Sequence, residues 1–183
     1  MRRLLTLAML FIVLLSGCAA TSMVAPDRKP DLTPRADSAT LVIIRDTSFG
    51  FAIVFWNYLD GKLIGETKGK TYFVTNVKPG PHYVVVATEN AAVAHINFQA
   101  GKSYYLREGV IMGVWRARTN GFSPLNKQEA IEAMNNCTYM EYNAKSGGED
   151  MDPKLYQQAI ANYHEEIKKN PDGFKSMLEY KGY

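Results

Sequence analysis

Five side chains have the chemistry to recognise a partner: Trp56 and Tyr58, and farther along Trp115 followed by Arg116 and Arg118. Aromatic rings stack on sugars or fill pockets on a protein partner, and a nearby guanidinium adds directional hydrogen bonds. On a strand, Trp56 and Tyr58 share one face while Phe51, Phe55 and Asn57 share the other. One set belongs to the core. The other is covered by helices or forms a candidate binding surface of Trp56, Tyr58, Trp115, Arg116 and Arg118. Catalytic chemistry is less well represented. His82, His95 and His164 have no second His or Cys within four residues, so no metal site is expected from their spacing. No Gly-x-Ser-x-Gly elbow, Ser-x-x-Lys, His-Glu-x-x-His or phosphate loop occurs. The expectation is a non-enzymatic chain without a cofactor. A glycan- or peptide-directed envelope enzyme is the alternative, since catalytic groups can converge in space without a linear motif.

The other reactive residue is Cys18. Arg2 and Arg3 precede an uncharged, mostly apolar run from Leu4 to Leu15, the layout of a secretory signal peptide. Twelve residues at about 1.5 Å each cover roughly 18 Å, short of a ~30 Å hydrocarbon core. The run ends in Leu15-Ser16-Gly17-Cys18, which resembles the lipobox of bacterial lipoproteins. That resemblance implies cleavage before Cys18 and lipidation of its thiol and new amine, with the membrane as a partner through the lipid. Each buried methylene contributes about 0.8 kcal/mol, so two or more chains anchor stably. In such lipoproteins Asp after the Cys favours the inner membrane; Ala19 stands here, so the outer membrane is expected. Cys137 is then the remaining thiol and has no intramolecular disulfide partner. A small, buried apolar side chain is its expected role, with an intermolecular bridge or a reactive thiol as the alternatives.

Removal of residues 1–17 leaves 166 residues and lowers the formal net charge from +3 to +1. No clustered basic stripe remains, so no nucleic-acid partner is expected. Residues 18–38 lack apolar periodicity and carry Pro26, Pro30 and Pro34 among charges, which reads as a lipidated, disordered linker with a reach of roughly 60 Å when extended. A globular part over 39–145 and a helical extension over 146–183 follow.

The elements that must position Trp56 and Tyr58 are β-strands. Apolar runs are expected to form strands at Thr40–Arg45, Phe51–Leu59, Lys62–Gly65, Tyr72–Asn76, His82–Glu89, Ala92–Phe98, Ser103–Glu108 and Val110–Arg118. Asp60-Gly61, Pro79-Gly80 and Ala100-Gly101-Lys102 punctuate them as turns. Short strands at this spacing, without intervening helices, argue for a mainly β chain of antiparallel sheets packed as a sandwich or barrel, and an antiparallel, immunoglobulin-like β-sandwich is the expected fold. Leu41–Ile44 and Tyr83–Val86 are apolar on both faces, as central strands are when helices or a partner cover the outer face. Tyr104 or Tyr105 is placed to make a tyrosine corner, its hydroxyl bonding back to a loop.

The succession Ala39–Arg45, Leu59–Gly65, Thr71–Phe73, Val77–His82 and Ala100–Leu106 resembles a family of uncharacterised bacterial lipoproteins with a PEGA-like β-sandwich domain. The resemblance implies a small β-sandwich of unknown function on a lipid anchor. It brings no catalytic residues to this chain.

Beyond it, Asn126-Lys-Gln-Glu129 reads as a capping box ahead of a short helix, and Thr138–Asn143 as a last strand. Ser146–Asp150 reads as a solvated linker, its acids lacking calcium-loop spacing. Asp152-Pro153 starts an amphipathic helix with Leu155, Tyr156, Ala159, Ile160, Tyr163 and Ile167 on one stripe. Asn170-Pro171 ends it before a second helical turn. The stripe is expected to pack on the sandwich, with docking on another envelope protein as the alternative.

Overall fold

The computed structural model describes residues 22–114 and 117–183. Among these residues ten strands form two sheets. The larger runs β1 (Met23–Val24), β10 (Thr138–Tyr142), β5 (Thr71–Val77), β2 (Ala39–Arg45), β8 (Ser103–Met112) and β9 (Ala117–Leu125). The smaller runs β4 (Lys62–Thr67), β3 (Phe55–Leu59), β6 (Gly80–Ala87) and β7 (Ala91–Phe98). Three helices follow β9 in the chain: α1 (Lys127–Asn135), α2 (Pro153–Lys169) and α3 (Pro171–Leu178). Among the described residues the fold is therefore mainly β, with two antiparallel-rich sheets and a few helices in the C-terminal part. The expectation of purely antiparallel sheets is corrected. β2 runs parallel to β8, and β10 parallel to β5. Strands β6–β9 and α1 lie between β5 and β10, and the smaller sheet together with β5 lies between β2 and β8, so both parallel pairs have the long connections they need.

β2 is the spine, every one of its seven residues being buried. Leu41 and Ile43 face the core shared by the two sheets, together with Phe73, Val84, Ile96, Phe98 and Leu106. Val42 and Ile44 face the other way, into a second cluster completed by Leu125 and by Ala130, Ala133 and Met134 of α1. This accounts for the missing alternation in Leu41–Ile44. Each such Leu, Ile or Phe contributes about 1.5–3 kcal/mol by leaving water. α1 starts where its capping box places it: Asn126 accepts from the Glu129 amide, and Glu129 accepts from the Asn126 amide. The Asp60-Gly61 turn has φ of 50° and 84° at its two residues, the positive pair a type I′ hairpin requires.

Tyr104 makes the corner. Its hydroxyl accepts from the Gln99 amide at 3.0 Å and donates to the Asn97 carbonyl at 3.3 Å. Tyr104→Phe should lower the unfolding free energy by about 1 kcal/mol, read as a fall in denaturant midpoint at unchanged slope; an unchanged midpoint would show that water replaces the hydroxyl without loss. Tyr105 instead offers its backbone to Tyr180, whose hydroxyl donates to the Leu125 carbonyl and accepts from the Tyr105 amide. The last residue then closes onto β8 through the reciprocal Ser103–Tyr183 backbone pair at 2.7 and 2.9 Å.

Three expectations are revised. The strand beginning at Phe51 starts at Phe55, because residues 46–54 loop around the Arg45 side chain, and Phe51 is exposed. Val110–Arg118 is not one strand: β8 continues to Met112, and β9 begins at Ala117 and runs through the polar stretch to Leu125. The linker expected up to Ser38 is fastened at points, at Ser22 and Met23 and again at Leu32, while most residues between stay exposed. Met23 pairs with Tyr142 and sits 4% exposed in the core, the Asn143 amide donates to the Ser22 carbonyl at 2.7 Å, and Leu32 packs on the second cluster. Two apolar residues nine apart show no period, yet they and a few backbone bonds are enough to fasten an edge segment.

Candidate functional site

The β3 alternation puts Phe55 and Asn57 inside, both fully buried, and leaves Trp56 40% exposed with Tyr58 half-buried on the outer face of the smaller sheet. α2 covers much of that face. Asp152 caps it by accepting from the Lys154 and Leu155 amides, and Ala159 and Tyr163 are the buried members of its stripe. The amphipathic stripe thus packs on the chain's own sheet, while Leu155 at its start stays exposed.

Beside the start of α2 the sheet face is open, and there lies a cleft of about 470 Å³. Trp56 and Tyr58 line it from β3, Ser22 and Glu66 from its inner end, and Glu149 and Asp150 from the segment before α2. That segment, expected as solvated linker, is fastened at several points. The Asp150 carboxylate accepts from the Leu63 amide and pairs with Lys62, both at 3.0 Å, and the Met151 amide donates to the Gly61 carbonyl at 2.9 Å. Gly148 lies so close that a Cβ there would come within 2.2 Å of the Leu63 Cδ2. Ser22 donates to the Glu66 carboxylate, and the Glu66 amide donates to the Met23 thioether, so the N-terminal segment forms part of the wall.

Electrostatically the cleft is negative: Glu66, Glu149, Asp150 and Asp152 line it, and among the described residues none of its lining side chains is basic. Burial, and then the charges of Glu66, Asp150 and Glu149, push the Tyr58 phenol above its ordinary range. Of the five residues expected to form a binding surface, Trp56 and Tyr58 come together here. Arg118 lies on β9 opposite Ile111 and is not part of the cleft wall. Trp115 and Arg116, like Cys18, lie outside the described residues.

Two histidines, His95 and His164, pack around Tyr83. His95 stacks on its ring at 4.5 Å between centroids, its hydroxyl lies 3.2 Å from His164 Nε2, and the neighbouring His82 is bonded to Asp60 at 2.5 Å. Burial first, then proximity to His164, holds the His95 imidazole below its ordinary pKa. Among the described residues no group of three His, Cys, Asp or Glu is placed to hold a metal ion. Cys137 is half-buried against the second cluster, and burial pushes its thiol up to about 11, so it is held as a protonated, poorly nucleophilic group.

A polar cluster between the sheets escaped the sequence reading. Arg45 closes β2 with its guanidinium 4.0 Å above the Phe55 ring. It donates to the carbonyls of Ile53 and Gly50 at 2.7 Å each and of Phe49 at 3.2 Å. Glu108 of β8, 2% exposed, accepts from Asn57 Nδ2 at 2.8 Å and from the Thr67 hydroxyl. Burial pushes the Glu108 carboxyl up to about 7 against the opposing pull of Thr67, Asn57 and Arg45. The signal available in the sequence was a charged residue ending an otherwise apolar strand, which reads equally well as a strand terminus.

An uncharacterized protein of Haemophilus influenzae is 28% identical over 127 residues, covering 67% of this chain and 75% of that protein. No solved structure matches the chain. Residues 35–122, which include Trp56 and Tyr58 but stop short of the acidic segment facing them, match the model of a protein family of unknown function, DUF2846.

Proposed function

We propose that this chain is a bacterial envelope lipoprotein, anchored through Cys18 most simply to the outer membrane, that acts as a non-enzymatic binding module. Its platform is a PEGA-like β-sandwich, a reading supported by the two sheets facing one core and by the Tyr104 corner. The observation that carries the binding role is the cleft, where two aromatic side chains remain accessible beside a fixed acidic segment. An envelope protein or glycan is the class of partner expected from such a surface. The alternative of an assembly subunit working through its C-terminal helix is less favoured, because Ala159 and Tyr163 of α2 are already buried within the chain.

Fastening of Ser22 changes what the anchor does. Cys18 and Ser22 are four Cα steps apart, a span of at most about 14 Å, rather than the ~60 Å of a free twenty-residue tether. A lipid on Cys18 holds the cleft at the bilayer surface, since Ser22 lines it. Growth with a labelled fatty acid should mark the wild-type protein and leave Cys18→Ser unmarked; wild-type protein recovered without label would overturn the anchor.

A further inference from the structure

We propose that the cleft binds an organic ammonium group. The inference deepens the binding-module reading by naming the ligand class, and it does not depend on lipidation. Three features of the cleft select for a diffuse organic cation. Its wall carries Trp56 and Tyr58 two residues apart on one strand face, and an aromatic face attracts a cation through its quadrupole. Its charged lining residues are all acidic, Glu66, Glu149, Asp150 and Asp152, and the one of them paired with a cation, Asp150, leaves the cleft with a negative excess. The Tyr58 phenol is pushed above its ordinary range, by burial first and then by three of those carboxylates, in keeping with their placement beside the aromatic wall.

A bare divalent ion is disfavoured by the same geometry. Calcium takes six to eight oxygens, whereas Asp150 is engaged by Lys62 and the Leu63 amide, and Asp152 by the first amides of α2. A neutral sugar would use the rings but derive nothing from the charge. An ammonium carried on a short aliphatic stem uses both, with the stem against Leu63 and Leu155. Such a group comes from a soluble amine or from a phospholipid headgroup.

The test uses the full chain in nanodiscs of phosphatidylglycerol, which carry no ammonium, with Trp115→Phe leaving Trp56 as the tryptophan reporter. Choline chloride and ethanolamine hydrochloride are titrated against sodium chloride at matched ionic strength and against N-acetylglucosamine. The expected result is a saturable change in Trp56 emission with either ammonium, absent with sodium chloride and the sugar, and weakened three- to tenfold by Glu149→Gln, an exposed position whose substitution leaves folding intact. In nanodiscs of phosphatidylethanolamine, an emission already at its bound value and insensitive to ethanolamine would identify the lipid headgroup as the source; an unchanged titration would identify a soluble amine. A response equal to that of sodium chloride, a response to the sugar in place of the ammonium, or one unaltered by Glu149→Gln and by Tyr58→Leu alike would overturn the proposal. None of these outcomes touches the fatty-acid label at Cys18, so the ligand and the anchor fail separately.

Discussion

Arg45→Ala is expected to lower the unfolding free energy by about 3–5 kcal/mol, the range for removing one partner from a buried charged network. The guanidinium reaches three carbonyls of the 46–54 loop and stacks on Phe55, and it is the cation nearest in effect to the buried Glu108. Truncation removes the guanidinium donor from all three carbonyls; Gly50 keeps the Ile53 amide, and each carbonyl left unpaired costs about 1–3 kcal/mol where water cannot enter. It also releases the loop: Gly50 sits so near β9 that a Cβ there would lie 2.5 Å from the Ala117 Cβ. For a domain whose whole stability is of order 5–15 kcal/mol this is a large fraction. Arg45→Lys separates charge from shape. Its single nitrogen cannot reach all three carbonyls, so an intermediate loss is expected in urea unfolding. A Lys variant as stable as wild type would show that charge alone matters and that the fork of donors does not.

Glu108 predicts the second large effect, a stability that falls between about pH 5 and pH 7. Its carboxyl titrates at about 7 in the folded protein against 4.5 for the unperturbed group. Because the folded pKa is raised, the native state holds this proton more tightly than the unfolded chain in that interval. The associated stabilisation is fully present below the unfolded pKa and is lost as pH rises through the folded one. The total is about 3 kcal/mol, at roughly 1.4 kcal/mol per pH unit. Glu108→Gln keeps the shape and cannot ionise. Its Oε1 can still accept from Asn57, and the Thr67 hydroxyl can turn to accept from the new amide. The variant should therefore lose this fall, keep only the small opposite rise from His95, whose imidazole is held below its ordinary pKa, and exceed wild type above pH 7. A wild-type profile parallel to that of the variant would mean that Glu108 ionises in place, compensated by Arg45. The carboxylates of Asp31, Asp150 and Glu165, all held below their ordinary range, shift in the opposite sense and act at lower pH, outside this window.

Local signals in the chain proved reliable wherever a few neighbouring residues decide the conformation. The Asn126–Glu129 capping box, the Asp152-Pro153 helix start, the Asp60-Gly61 hairpin and the Tyr104 corner each depend on chemistry contained within about eight residues. β2 was equally legible, since a strand apolar on both faces must be central. β9 was not. Its sequence, Ala-Arg-Thr-Asn-Gly-Phe-Ser-Pro-Leu, carries Gly121 and Pro124 and alternates poorly, and it pairs because β8 extends far enough to present an edge to it. Met23 gave no periodic signal, because a two-residue strand has no period to show.

The candidate site divides along the same line. The alternation of Trp56 and Tyr58 on one strand face, the acidic character of Glu149-Asp150 and the cysteine at position 18 are written in the chain and could be named without coordinates. That Trp56 meets Glu149 across a cleft, that Ser22 forms part of its wall, and that Arg45, Asn57, Thr67 and Glu108 converge between the sheets were decided by tertiary structure. Periodicity and capping are short-range properties of the backbone, whereas these groups, 40 to 130 residues apart in some pairs, are brought together by which sheet faces can bury one another.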